Sequence, residues 1–320
     1  MKNDNTYRPN AAFGRKRTGI LLCYPFEEKR LMKWDTWPVI VQPKLDGERV
    51  RALWLPSGPI LLSSTEEVIH SMPHLLDALK EWWPRSGIPL EWELDGELYS
   101  HGLSFEDIHS RVSRKVNLHE DHRTIKLWLF DLIPSEEASP TVIDQTSRLL
   151  TLKKGFVRAD HHPSITLTPF LLADSPEEVL SAMQSYVAQE FEGIIVRHPL
   201  APYTRRRSTY VMKYKPKQMD AYIISGFQEE MTKEGHPKGT LGAFLANPIG
   251  EPSPEHQFAV GSGFTKEERA TFWNNQHTLL GRPLLVAYQN INSKSGKPRF
   301  GTFVRLITME EALQVERKNL

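Results

Sequence analysis

A lysine acts as a nucleophile only after losing its proton, and its ordinary pKa of about 10.4 leaves little free amine at neutral pH. The segment QPKLDGERVRALW, residues 42 to 54, sets Lys44 two residues ahead of an Asp46-Gly47 turn, with Arg49 and Arg51 alternating with Val50, Ala52 and Trp54 behind it. Nearby cations or desolvation would lower the pKa of such a lysine. The later stretch VMKYKP offers cations, because side chains alternate along a strand and Lys213 and Lys215 then share one face, with Met212 and Tyr214 on the other. Glu97 follows a second Asp-Gly turn in ELDGEL, and Glu192 opens the apolar EGIIVR that ends at Arg197. Carboxylates near a lysine suit a hard divalent cation that also binds phosphates. Phe130, beside Asp131 in LWLFDLI, is an aromatic that could offer its face to a base. Taken singly, each feature also has an ordinary reading: a solvated strand edge for the lysines, a turn for the glutamates, core packing for the phenylalanine.

These side chains need strands to hold them. Val39-Ile40-Val41, the alternation from Arg49 to Trp54, and Ile125 to Leu132 read as strands in the first part of the chain. Helices are expected after Ser104, Ser175 and Thr265, the last two as capping boxes closed by Glu178 and Glu268. Beyond Pro216, five short strand candidates (222–227, 241–246, 258–260, 284–289 and 300–307), with a helix over 265–280 between the third and fourth, suit a small OB-type barrel. The expected organisation is a basic arm over residues 1–19 carrying Arg15, Lys16 and Arg17, a first domain over 20–217, and a barrel domain over 218–320.

Composition narrows the function classes. A 320-residue chain with 39% hydrophobic and 25% charged residues is an ordinary globular one, and its net charge of +1 requires any nucleic-acid surface to be local. One cysteine, Cys23, excludes an internal disulfide and a multi-cysteine zinc site. With no apolar leader and no membrane-length apolar run, the expectation is a soluble, cytoplasmic protein. No GxxxxGK[ST] loop is present, so a nucleotide would not be held in that way.

In order, KxDGxR (Lys44, Asp46, Gly47, Arg49), DGEL (Asp95 to Leu98), Phe130-Asp131, EGIIVR and KYK resemble the motif set of the covalent nucleotidyltransferases, most nearly the ATP-dependent DNA ligases of minimal phage and bacterial type. The resemblance runs from residue 44 to 215 and continues into the OB-like region. It implies an α+β fold: an adenylyltransferase domain of ATP-grasp-like ligase type with antiparallel sheets, followed by an OB-fold β-barrel. It also implies that Lys44 takes up AMP from ATP, with Mg²⁺ as cofactor and Mn²⁺ as a substitute, before AMP passes to the 5′-phosphate of a nick. By likeness, Gln42 reads the adenine edge, Arg49 and Glu97 serve the ribose and organise the site, and Phe130 stacks on adenine. Glu192 and Glu97 are the implied metal carboxylates, Lys213 and Lys215 offset α-phosphate charge, and Arg197 is a basic position of the same motif.

The implied partner is nicked duplex DNA, bound by a monomer, with no membrane. Arg51, Arg205, Arg206, Arg207, Lys294, Lys297 and Arg299 are the candidate phosphate contacts. Two departures stand out. Ser64 occupies the place where the family carries an arginine for the nick phosphate, for which Arg51 is a candidate stand-in, and KPRFGTFVRLITMEEA keeps Arg299 and Arg305 without the usual Asp-Lys. Rival readings are an RNA ligase, a GTP-using capping guanylyltransferase, and an inactive OB-fold nucleic-acid-binding protein.

Overall fold

A computed structural model describes residues 19–135, 143–216, 218–250, 253–288, 290–292, 295–299 and 301–319. Residues 1–18 of the expected arm over 1–19, together with Lys294 and Phe300, lie outside them. Two compact units divide the chain, one ending at Lys215 and one beginning at Pro216.

In chain order the first unit contains β1 (Leu22–Pro25), α1 (Glu28–Leu31), β2 (Val39–Lys44), β3 (Glu48–Leu55), β4 (Gly58–Ser63), α2 (Pro73–Ser86), β5 (Glu93–Tyr99) and α3 (Phe105–Val112). It continues with β6 (Lys126–Ile133), α4 (Gln145–Ala159), β7 (Ile165–Leu167), β8 (Leu171–Ala173), α5 (Pro176–Ala188), β9 (Gly193–Arg197) and β10 (Arg207–Tyr214). These strands form two five-stranded sheets, ordered β1-β10-β9-β2-β8 and β4-β3-β5-β6-β7. Each sheet is antiparallel except for one parallel pair at its edge, β1 with β10 and β6 with β7.

Period-two alternation assigns each strand a core face and a site face. In β2, Val39 and Val41 pack with Val179, Ala182 and Tyr186 of α5, while Gln42 and Lys44 line a cleft. In the second sheet Val50, Ala52, Leu94 and Leu98 join a core built around Trp82 and Trp83 of α2, both fully buried. Opposite that core, the same sheet carries Arg49 and Arg51 beside Glu93, Asp95 and Glu97.

Two motif glycines are steric requirements. A Cβ on Gly47 would collide with the Leu98 carbonyl oxygen, and one on Gly193 with that of Tyr214; Gly193 also holds φ at +149°. Helix starts follow the expected side chains. Ser104 accepts from the Asp107 N–H and Ser175 from the Glu178 N–H. The expected capping box at Ser175 is not reciprocal, because the Glu178 carboxylate accepts from the Asp174 N–H at 2.8 Å instead. At Thr265 the box is complete.

The second unit contains β11 (Gln218–Met231), β12 (Pro237–Pro248), β13 (Phe258–Val260), α6 (Lys266–Asn274), α7 (Gln276–Leu279), β14 (Pro283–Tyr288), β15 (Asn290–Ile291), β16 (Pro298–Arg299), β17 (Thr302–Leu306) and α8 (Met309–Asn319). Its five-stranded sheet runs β13-β12-β11-β14-β17. The two edges meet at a single parallel bridge between Ser262 and Thr302, so no continuous ladder closes the barrel. Phe244, Val260, Leu284, Val286 and Phe303 fill the inside. Tyr288 and Phe303 are buried there, with the Tyr288 hydroxyl donating to Asp220. No described helix is long and apolar enough to cross a membrane.

Candidate active site

A cleft of about 160 Å³ opens in the first unit. Gln42, Lys44, Ile195, Arg197 and Lys213 line it from the first sheet, and Arg49, Glu97 and Phe130 from the second. Six of the expected nucleotide-site residues, separated by up to 171 positions in the chain, therefore face one space with the Lys44 amine among them; Glu192 and Lys215 adjoin it through that amine.

Lys44 Nζ and Lys215 Nζ each pair with the Glu192 carboxylate, one on each oxygen. Burial alone would lower the Lys44 pKa, but Glu192 and Glu97 outweigh it and hold the amine above its ordinary value. Lys215 moves the other way, pushed down by burial and by the positive charge of Lys44. The sequence argument expected a lowered pKa on Lys44; without nucleotide, the structure keeps this lysine as an ammonium. Glu97 is pushed up to about 7, chiefly by burial and with help from Glu192 and Asp95, against the pull of Arg49 and Lys44. Its carboxylate has no hydrogen-bond partner among the described residues.

Arg49 is held bidentately by Asp95, at 2.8 and 2.6 Å, and its guanidinium lies 4.5 Å from the centre of the Phe130 ring. Tyr203 donates to the same Asp95 at 2.7 Å. Phe130 reaches the cleft through a β-bulge: Asp95 pairs with Asp131 and Gly96 with Leu129, which leaves Phe130 as the extra residue. Because of that bulge, Phe130 and its neighbour Asp131 both turn toward the first sheet. Asp131 is fully buried and accepts from Arg148 Nε at 2.8 Å and Arg197 Nη1 at 3.2 Å, and these two arginines hold its pKa down against burial. Gln42 is bound at both ends, its Oε1 accepting from Arg197 Nε at 2.7 Å and its Nε2 donating to the Phe130 carbonyl at 3.3 Å.

Comparison with known proteins agrees with this architecture. Residues 22–215 match the family model of the ATP dependent DNA ligase domain. The chain belongs to the ATP-dependent DNA ligases. Residues 215–306 of the ligase match the DNA ligase OB-like domain. A DNA ligase of Haemophilus influenzae is 26% identical over 302 residues, covering 92% of this chain and 94% of that protein. Among solved structures, a Lig E DNA ligase superposes with a TM-score of 0.68 at 22% identity, over 90% of this chain and 99% of its own. The ligase of bacteriophage T7, in complex with ATP, gives 0.56 at 16% identity over 92% and 100%. These two structures agree with the ligase in fold.

The expected DNA contacts of the ligase need one correction. Arg51 is not a surface phosphate contact: its side chain is 3% exposed and pairs with Glu66 and Glu93. It therefore cannot stand in for the arginine missing at Ser64. Arg205 is partly spent as well, donating to Glu93 at 2.5 Å and to the Gly19 carbonyl at 2.7 Å. Arg207 donates to the Cys23 carbonyl and lies over the Tyr24 ring, while Arg206 is exposed. Lys297 and Arg299 are half-buried in the second unit.

Sequence reasoning assigned no role to Asp95, Asp131, Arg148 or Tyr203, although they brace the cleft. One signal for the first was present. Glu93, Asp95 and Glu97 repeat at period two, as Arg49 and Arg51 do, and on adjacent antiparallel strands two such runs become opposite or diagonal neighbours. No sequence signal joins Arg148 to Asp131.

Proposed function

We propose that Lys44 is the nucleophile of this ligase and that the cleft holds ATP. The carrying observation is the convergence of Lys44, Gln42, Arg49, Glu97, Phe130, Arg197 and Lys213 on one cleft, with Glu192 paired to the Lys44 amine beside it. The Lys44 ammonium releases one proton to solvent before attack and a second as Nζ bonds to the α-phosphorus and the bond to pyrophosphate breaks, with pyrophosphate departing as the leaving group. AMP then passes to the 5′-phosphate of a nick in duplex DNA, and the 3′-hydroxyl displaces AMP to close the backbone. Splitting the condensation in this way replaces one hard step with easier ones.

For Lys44 to attack, its tie to Glu192 must loosen. Arrival of the triphosphate gives Lys215 and Lys213 an anion to pair with, and the Glu192 carboxylate becomes free to accept from other donors. Glu97 and Glu192 fit Mg²⁺, being two oxygen donors beside the phosphate position, one of them an unbonded carboxylate whose pKa is raised by burial. When bound, Mg²⁺ would supply positive charge to the phosphate oxygens. Arg206, Lys297 and Arg299 remain the phosphate contacts we favour. A DNA substrate and a single thiol suit a cytoplasmic enzyme.

The test is covalent labelling of the full chain and a Lys44→Ala variant with α-labelled ATP or GTP and Mg²⁺, after removal of any bound AMP. Label from ATP that vanishes in the variant supports the reading. Label from GTP points to a capping enzyme, and label from neither to an inactive binder. Sealing of nicked DNA against nicked RNA then separates the two ligase classes.

A further inference from the structure

The amide of Gln42 is 1% exposed, and its polarity is fixed by the protein. Arg197 Nε donates to Oε1 at 2.7 Å, and Nε2 donates to the Phe130 carbonyl at 3.3 Å. A guanidinium has no acceptor and a carbonyl has no donor, so turning the amide over would set donor against donor and acceptor against acceptor. The guanidinium itself is anchored by Asp131 at 3.2 Å and Gln145 at 3.3 Å. Asp131 and Gln145 are in turn both held by the fully buried Arg148. No rotation of the lock is available without breaking a buried charge network.

One lone pair on Oε1 and one N–H on Nε2 remain for a ligand, and Gln42 lines the cleft beside its cross-strand partner Ile195. Adenine presents an amine donor at N6 next to a ring acceptor at N1. Guanine presents the reverse, an acceptor at O6 next to a donor at N1. An amide held one way round matches one pattern at two points and opposes the other at two points, whereas a free amide accepts both by rotating. A glutamate at position 42 would lack the donor and could read only the amine.

We propose that Arg197 is the positioning residue for purine selection: by fixing the polarity of Gln42 it makes the cleft accept the donor-acceptor edge of adenine and reject guanine. The inference rests on the reading that ATP occupies this cleft. Buried polar groups left unpaired by the wrong ligand give large discrimination, here at least about 10³-fold between ATP and GTP.

The experiment measures initial rates of covalent labelling with α-labelled ATP and GTP for the full chain, Arg197→Lys, Gln42→Met and the double variant. Lysine keeps a positive charge for Asp131 but lacks the planar fork. Arg197→Lys is expected to lower the ATP-to-GTP rate ratio by about 10²-fold, Gln42→Met likewise, and the double variant no further than Gln42→Met alone. A purely structural role for Arg197 would lower both rates together and leave the ratio intact, which overturns the proposal. If Arg197→Lys does not fold, as judged by its thermal melt, Gln42→Met decides: a preserved ratio refutes the lock. Absence of label from both nucleotides in the unmodified chain would instead sink the ATP reading beneath it.

Discussion

Replacing Glu97 by glutamine should stabilise this ligase above neutral pH while removing its activity. The carboxyl group is pushed from an ordinary 4.5 up to about 7, first by burial and then by Glu192 and Asp95. An acid with a raised folded-state pKa keeps its proton in the native state while the unfolded chain has already released it. Native stability therefore falls as pH rises from 4.5 to about 7, and the loss is complete above that window. A shift of this size corresponds to about 3 kcal/mol, and the partial exposure of Glu97 to the cleft trims it toward about 2 kcal/mol. Glutamine has the same shape and no charge, so Glu97→Gln removes the penalty at pH 8 and changes little near pH 4.5. For a unit of this size the gain corresponds to a rise in Tm of roughly 4 to 8 °C at pH 8. Thermal melts of the nucleotide-free protein and the variant at both pH values, followed through the fluorescence of the buried tryptophans, measure it. Adenylylation should fall by at least about 10²-fold, since a carboxylate that serves cation or ribose has gone. A Tm shift of the same size at both pH values, or a loss of stability at pH 8, would refute the reasoning.

Two other perturbations follow from the same site. The Glu192 pair holds Lys44 above its ordinary pKa, so its contribution to stability is present below the unfolded value of 10.5 and is lost only at more alkaline pH. Glu192→Gln should move the pH dependence of Lys44 reactivity toward lower pH, measured as amine modification of the nucleotide-free protein; an unmoved profile would count against the pair. Arg51→Ala leaves Glu66 and Glu93 without their shared partner in a buried setting and should cost about 3–5 kcal/mol, with the salt dependence of DNA binding unchanged. A stable variant with a shallower salt slope would restore Arg51 as a phosphate contact.

The site motifs were legible through their ordered resemblance to a family, and the strand faces through alternation, which sets Arg49 and Arg51 on one side and Lys213 and Lys215 on one side. The steric need for Gly47 and Gly193 was not, because the carbonyls that crowd them belong to Leu98 and Tyr214 on neighbouring strands. The helix starts at Ser104, Ser175 and Thr265 were legible from the local chemistry of their caps. Arg51 shows where this reading stops. Alternation correctly set Arg49 and Arg51 on one face, but a strand pattern does not say what lies opposite. Here the neighbouring strand supplies Glu93, Asp95 and Glu97, and the arginines are neutralised inside the unit.

By itself, then, the sequence determined the strand faces and the helix caps, because these depend on chain geometry within a few residues, while the ordered motifs and the lysine at their head were read through their resemblance to a family. Only the tertiary structure decided that Glu192 bridges Lys44 and Lys215, that Asp131 joins Arg148 to Arg197, and that Gln42 is locked at both ends. Those contacts span up to 155 residues, and the low-dielectric interior that gives them their strength exists only once the two sheets have closed over it.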